Sequence, residues 1–419
     1  MKRALVLCGG GSRGAYEIGA WQALRELGVR LDGVYGTSIG ALNAALVARG
    51  DVESARELWL NLTLSRIVTV EDPEDFAVGR MVANKRDVLP FLVENAKRLR
   101  MDITPLEELV RAECDEARIR AGGMDFGVMT FRVPQLQGLP VRLRDMEPGA
   151  LPDWIIASAS CFPIFPAKHI GGQRYIDGGY CDNLPIDMAL ADGADEVVAV
   201  ELHPYDTHPE YARMPWLKRI RPRHSLGGFL DFNPKLLRRS LWLGYQDAMK
   251  VYGRFDGFLY TFRQVDALAV TPAARRFSRR LTDFDAEAMR RDTLRTGQPS
   301  NAPLLSALEA ETDFKDLDWK GVWLRGLELC AQVMGFREDA IYDAQRLIAQ
   351  LRAFCDARPV PEKLDEAALH EAWKQGPRQT FAVLTRWLDH NEAFPPELAR
   401  RLAELPRETA AAMFMRAVQ

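Results

Sequence analysis

The sequence predicts an α/β fold, a mostly parallel sheet flanked by helices, followed by a helical C-terminal extension. Two strand–glycine–helix passages near the N-terminus predict the sheet, and a change of texture from about Thr271 onward predicts the extension. In the first passage, residues 4–8 form a short apolar run ended by glycines, which reads as a buried strand. Ala15, Ile18, Trp21, Leu24 and Leu27 then recur at helical spacing up to Gly28, a natural stop. In the second, a strand over residues 29–35 runs into GTSIGALNAALVARG, where a helix opens and closes before Gly50. Short strands alternating with helices in this way build a parallel sheet.

Farther on, MDITPLEELVRAE predicts a helix with Thr104 as N-cap and Pro105 at its first position. Strands are predicted over residues 126–131, 141–143 and 196–202, with another ending at Tyr175 and Ile176. The Pro-rich, basic stretch 203–228 reads as a loop. Runs such as DAIYDAQRLIAQLRAF and PPELARRLAELPRETAAAMFMRAV have helical periodicity and almost no strand signal. The expected organisation is a sheet domain over 1–262, a connecting segment over 263–300 and a helical region over 301–419. In that last region, Trp319, Trp323, Trp373 and Trp387 are expected in the core.

The chain has 419 residues, 47% of them hydrophobic and 27% charged, which suffices for a large packed core. A net charge of −3 lacks the basic excess expected of a nucleic-acid binder. No apolar stretch is long enough to span a membrane, so any lipid contact is expected to be peripheral. The apolar start is too short for a signal peptide, and six scattered cysteines without a C-x-x-C pair fit reduced thiols in a cytoplasmic protein.

The glycine loop LCGGGSRGAYEIG supports two readings. Gly9, Gly11 and Gly14 fit a dinucleotide fingerprint, with Asp32 near the place of the ribose-binding acid. The same glycines could expose backbone N–H groups to an oxyanion. Gly36-Thr37-Ser38-Ile39-Gly40 is a G-x-S-x-G pattern between a strand and a helix, the setting of a nucleophile elbow, where Gly36 and Gly40 relieve crowding. A serine there needs a base. Of six histidines, His203 is best placed, just after a predicted strand. The stronger candidate is Asp177, in RYIDGGYCDNLPI, where Gly178 and Gly179 let the backbone aim the carboxylate toward a neighbouring strand end. Burial would raise its pKa and make it a competent base.

Together, G-G-G-x-R-G, G-x-S-x-G and D-G-G resemble the patatin-like phospholipase family, as do ASASCFPIFPA and DNLPI around the third motif. The resemblance covers about residues 1–262 and implies a three-layer patatin-like sheet and a lipid acyl hydrolase. Carried over residue by residue, it makes Ser38 the nucleophile and Asp177 the base, with Gly9, Gly10, Gly11 and Arg13 around the oxyanion hole. Gly14, Gly36, Gly40, Gly178 and Gly179 support the motifs. It implies a phospholipid or another acyl-ester lipid as substrate, an acyl-enzyme intermediate, and neither metal nor cofactor. Arg13 could steady the loop or face a lipid phosphate. MPWLKRIRPRH and PKLLRRSLWLGY mix apolar and basic residues as membrane-surface segments do, and as ordinary packed elements also do. The alternatives left open are a Ser–His–Asp carboxylesterase, a dinucleotide-binding protein, and a lipid-binding protein with a decayed site.

Overall fold

A central eight-stranded sheet organises the first of two units, which span Met1–Tyr252 and Gly253–Gln419. The computed structural model describes residues 1–69, 101–203, 208–297, 304–305 and 317–419. Parts of the predicted loop 203–228 and of the predicted segments 263–300 and 301–419 lie outside the described residues.

The first unit runs β1 (Arg3–Leu7), α1 (Ala15–Glu26), β2 (Gly33–Thr37), α2 (Ile39–Arg49) and α3 (Val52–Leu60). It continues with α4 (Thr104–Glu113), α5 (Glu116–Ala121), β3 (Asp125–Arg132), β4 (Gln137–Arg142) and α6 (Leu151–Ser158). It closes with β5 (Lys168–Ile170), β6 (Gln173–Asp177), α7 (Ile186–Ala191), β7 (Glu196–Val200), β8 (Leu217–Ile220) and α8 (Pro234–Val251). The strand order is β5-β6-β3-β2-β1-β7-β8, with β4 also paired to β3. β3, β2, β1, β7 and β8 are mutually parallel, whereas β4 and β6 run antiparallel to β3. Strands β1 and β7 are apolar almost throughout and buried, as expected where helices cover both faces of a parallel sheet.

Helices α1 and α8 pack closely because two glycines let them. A Cβ on Gly19 would lie 1.9 Å from the Leu241 carbonyl oxygen, and one on Gly244 would lie 1.9 Å from that of Tyr16. The buried Tyr16 hydroxyl donates to Asp247 Oδ2 at 2.7 Å across the same contact.

Several local expectations are corrected. Thr104 is the first residue of α4 rather than its cap: the N-cap position is Ile103, without a side-chain cap, and the Asp102 carboxylate accepts from the Thr104 amide and hydroxyl. The stretch 203–228 is not all loop, since β8 extends the sheet parallel to β7. Within it Ile220 is fully buried, and Arg221 donates to both carboxylate oxygens of buried Glu201, with Arg219 at 3.6 Å from the same group. In PKLLRRSLWLGY, Leu237 and Leu241 are buried while Trp242 is 43% exposed. Asp32 precedes β2 and accepts the Arg3 amide, at the sheet edge opposite the glycine loop, so it is misplaced for a ribose there.

The second unit comprises β9 (Thr261–Phe262), α9 (Ala267–Thr296), α10 (Trp319–Met334), β10 (Ile341–Tyr342), α11 (Ala344–Asp356), α12 (Glu366–Lys374), α13 (Pro377–His390), α14 (Ala399–Ala403) and α15 (Pro406–Ala417). Residues 263–300, read as a connector, carry the 30-residue helix α9, whose Val270, Ala274, Phe277 and Leu281 enter this unit's core. Its four tryptophans divide: Trp323 is buried, whereas Trp319 and Trp373 are 41% and 55% exposed and Trp387 is partly buried. Inside, Glu328 Oε1 accepts the amides of Phe258, Leu259 and Tyr260, which holds the start of the unit onto α10.

Candidate active site

Adjacent parallel strands release their chains at the same edge of a sheet. The glycine loop therefore leaves β1 beside the point where Ser38 leaves β2. Ser38 has φ 55° and ψ −123°; among the described residues only Leu136 is another non-glycine with positive φ. Such a backbone persists only where its surroundings over-determine it. Here the neighbours must be small: a Cβ on Gly36 would meet the Gly40 carbonyl oxygen at 2.1 Å, and one on Gly40 would meet that of Leu7 at 2.6 Å. The Ser38 amide donates to Ser158 Oγ at 2.9 Å, and that hydroxyl donates to the Met129 carbonyl at 2.7 Å.

Asp177 arrives from the opposite direction. Because β6 is antiparallel to β3, it runs back toward this edge and ends with Asp177 opposite Thr130, one position beyond the pairing of Met129 with Thr37. That register sets its carboxylate against Ser38. The Gly179 amide donates to Asp177 Oδ1 at 2.8 Å, and the Asp177 amide donates to the Ser160 carbonyl at 2.9 Å. Burial pushes the Asp177 carboxyl up to about 6, against the downward pull of Ser38 and the Gly179 amide. Residues 158 and 160 thus hold the serine and the aspartate from one short segment.

The glycine loop is clasped at several points. The Gly9 amide donates to the Asn183 carbonyl and the Ser12 amide to the Phe229 carbonyl, while Asn183 Nδ2 returns a bond to Gly9 O. The Ser12 hydroxyl donates to Gly228 O. Among the described residues, the amides of Gly10 and Gly11 have no backbone acceptor. Gly11 has φ +60°, and a Cβ there would lie 2.1 Å from the Phe229 carbonyl oxygen. Arg13 donates from Nε to Gly227 O at 2.8 Å and lies 3.2 Å from His203 Nδ1. Since a guanidinium can only donate, that nitrogen of His203 is the acceptor and the ring is neutral, as its pKa, lowered to about 4 by burial, requires. Arg13 therefore steadies the loop, and His203 is engaged by Arg13.

Gly9, Gly10, Gly11, Arg13, Ser38, Asp177 and Gly179 line one cleft of about 490 Å³. Its remaining wall is mostly apolar, with Leu42, Leu106, Val110, Ile155 and Phe165 among the contributors. Gly14, Gly36, Gly40 and Gly178 stand behind it. Residues 5–190 match a family model described as patatin-like phospholipase. This part of the chain is similar to the patatin-like phospholipase family. An uncharacterized NTE family protein of Mycobacterium tuberculosis is 28% identical over 204 residues, covering 47% of this chain and 30% of that protein. Lysophospholipase nte1 of Aspergillus terreus is 27% identical over 205 residues, covering 48% of this chain and 12% of that protein. The chain therefore spans less than a third of the length of these two relatives. Among solved structures, VipD from Legionella pneumophila aligns with 100% of this chain and 89% of its own, at TM-score 0.41 and 14% identity.

Within the patatin-like part, reading the motifs missed the residues that hold the site rather than line it. Ser158 and Ser160 sit in ASASC and Asn183 in DNLPI, both quoted for family likeness without a role. Phe229, whose carbonyl pins the loop, lies in a stretch with no motif. Among the described residues, no helix is long and apolar enough to cross a membrane.

Proposed function

We propose that this protein is a lipid acyl hydrolase of phospholipase A or lysophospholipase type, acting through a Ser38–Asp177 dyad. One observation carries the reading: Ser38, on a strained elbow, stands in one cleft with the buried carboxylate of Asp177, whose pKa is raised to about 6. A carboxylate in that range is a far better base than one at 3.8 and is still ionised at neutral pH. The apolar lining suits an acyl chain, and the family and the lysophospholipase relative favour a phospholipid as its source.

In this mechanism Asp177 accepts the hydroxyl proton as Ser38 Oγ attacks the ester carbonyl carbon. The developing oxyanion is received by the amides of Gly10 and Gly11, helped by the N-terminus of α2. Collapse breaks the carbon–oxygen bond, and Asp177 returns the proton to the departing alcohol or lysophospholipid. Water, deprotonated by Asp177, then attacks the acyl-serine and releases the fatty acid and free Ser38. Gly9 acts by close approach, since its amide is committed to Asn183, and Arg13 acts by clamping the loop. The geometry favours Asp177 over His203 as base, because Ser38 stands beside the former and Arg13 engages the latter.

The test is hydrolysis of a short-chain p-nitrophenyl ester and of phosphatidylcholine vesicles by wild type, Ser38→Ala and Asp177→Asn, with fluorophosphonate labelling alongside. Turnover and labelling at Ser38 in wild type, both lost in Ser38→Ala, are the expected result. Wild-type protein that neither labels nor turns over either substrate sinks the reading.

A further inference from the structure

Behind the cleft lies a buried polar cluster that this mechanism does not use. Glu17, in the first turn of α1, is fully buried, and among the described residues no arginine or lysine is paired with it. Its Oε2 accepts from Asn43 Nδ2 at 2.7 Å, and the same Nδ2 donates to the Gly14 carbonyl at 3.0 Å. Asn43 Oδ1 accepts the Trp59 indole N–H at 2.8 Å. These roles admit no alternative orientation, because an indole N–H only donates and a backbone carbonyl only accepts. Glu17 Oε1 is buried and has no hydrogen-bond partner among the described residues.

The positions of these contacts matter more than their number. Gly14 is the last residue within the glycine loop. Asn43 lies on α2, the helix that begins immediately after Ser38, and Trp59 lies on α3. The Gly14 root of the loop is thereby tied through Asn43, itself held by Glu17, to the helix that carries the nucleophile. The space is filled: a Cβ on Gly14 would stand 2.9 Å from each of Asn43 Nδ2, Ile39 Cγ1 and Trp59 Cη2.

We infer that Glu17 and Asn43 are positioning residues which set the distance between the glycine-loop amides and Ser38 Oγ. This rests on the Ser38–Asp177 reading. Glu17 acts as a neutral acid: burial drives its pKa well above the ordinary range, with no cation to offset it. Glutamine reproduces that shape, accepting from Asn43 with its carbonyl and donating with its amide where the acid carries its proton. Leucine fills similar volume and can do neither. The amides act on charge that develops only in the transition state, so losing their register lowers kcat and leaves KM nearly unchanged.

The experiment compares wild type, Glu17→Gln, Glu17→Leu and Asn43→Leu in p-nitrophenyl ester hydrolysis. Rates are normalised to sites titrated with a fluorophosphonate, so that unfolded protein does not count. Expected are near-wild-type kcat for Glu17→Gln and a fall of about tenfold or more in kcat at similar KM for both leucine variants, the scale of a sub-ångström to 1 Å misplacement. Wild-type kcat per titrated site in Glu17→Leu would make the cluster merely structural and overturn the inference. Glu17→Gln as slow as Glu17→Leu would overturn it too, because the neutral hydrogen-bond pattern would not then be what matters. The Trp59 indole N–H resonance, assigned with Trp59→Phe, gives a readout free of turnover. It should move in Glu17→Leu and stay in place in Glu17→Gln, and no movement in Glu17→Leu refutes the coupling. Wild type that neither turns over nor labels defeats the dyad assignment instead, and the indole resonance still judges the network.

Discussion

Replacing Asp177 by asparagine should abolish turnover and, at neutral pH, make the protein more stable. The carboxyl is 6% exposed and its pKa rises from 3.8 to about 6 on folding. A shift of about two units corresponds to roughly 3 kcal/mol of preference for the neutral form in the folded state. The sign follows from proton counting. Between pH 3.8 and about 6 the folded protein holds the proton that the unfolded chain has lost, so stability falls as pH rises through this window. Above it the full cost of ionising a buried carboxylate is borne. Asparagine imitates the protonated acid, keeps an oxygen for the Gly179 amide, and does not titrate. The gain over wild type should therefore be about 1 kcal/mol at pH 4.5 and about 3 kcal/mol above pH 7. For a unit of this size that is a rise of about 5–10 °C in melting temperature at pH 8. Thermal unfolding of both proteins at pH 4.5 and pH 8, followed by tryptophan fluorescence, reads the difference. An equal gain at the two pH values, or a loss at pH 8, would refute the argument that burial without a cation sets this carboxyl's pKa. A stable but inactive variant would mean that the catalytic aspartate is held ionised against the preference of its surroundings, the usual exchange of stability for activity at such a site.

Two further outcomes follow from the same structure. The kcat/KM of ester hydrolysis should fall on the acid side with a midpoint near pH 6, because protonated Asp177 cannot accept from Ser38; a flat profile from pH 5 to 8 would exclude it as the base. Arg221→Ala should destabilise the protein by about 3 kcal/mol, since it removes the partner that bonds both carboxylate oxygens of Glu201, which is 1% exposed; urea unfolding measures this, and a change confined to vesicle binding would instead support a lipid-facing role for the segment.

The parts of this molecule that a reader of the sequence could see are those set by local rules. Apolar runs ended by glycine located β1 and β2, and G-x-S-x-G located the elbow, because a strained turn needs small neighbours within two residues of the serine. D-G-G marked the aspartate for the same reason. What stayed hidden depends on partners far apart in the chain. Nothing near Leu217 shows that β8 pairs with β7, because a four-residue strand among prolines and arginines has no alternation to display. Asp32 lies at a ribose-like spacing from the loop, yet spacing along the chain does not say at which end of a strand a residue falls. Ser158 looks like one more small residue in ASASC until the elbow amide is found on its hydroxyl.

The same distinction explains how two weak signals become one site. A glycine loop after a strand and a serine between glycines are each common, and neither dictates chemistry. Parallel pairing of β1 with β2 puts their ends side by side, which is a property of topology. Antiparallel β6 then brings a carboxylate to the same level from the other direction, and register alone decides that it stops at Asp177. One residue more or less in β6 would turn that side chain to the other face of the sheet. The geometry of the proposed dyad therefore rests on the pairing of Thr130 with Asp177 as much as on the motifs. A mutation that slips β6 by one position would carry the Asp177 carboxylate away from Ser38 while leaving every motif residue in the chain.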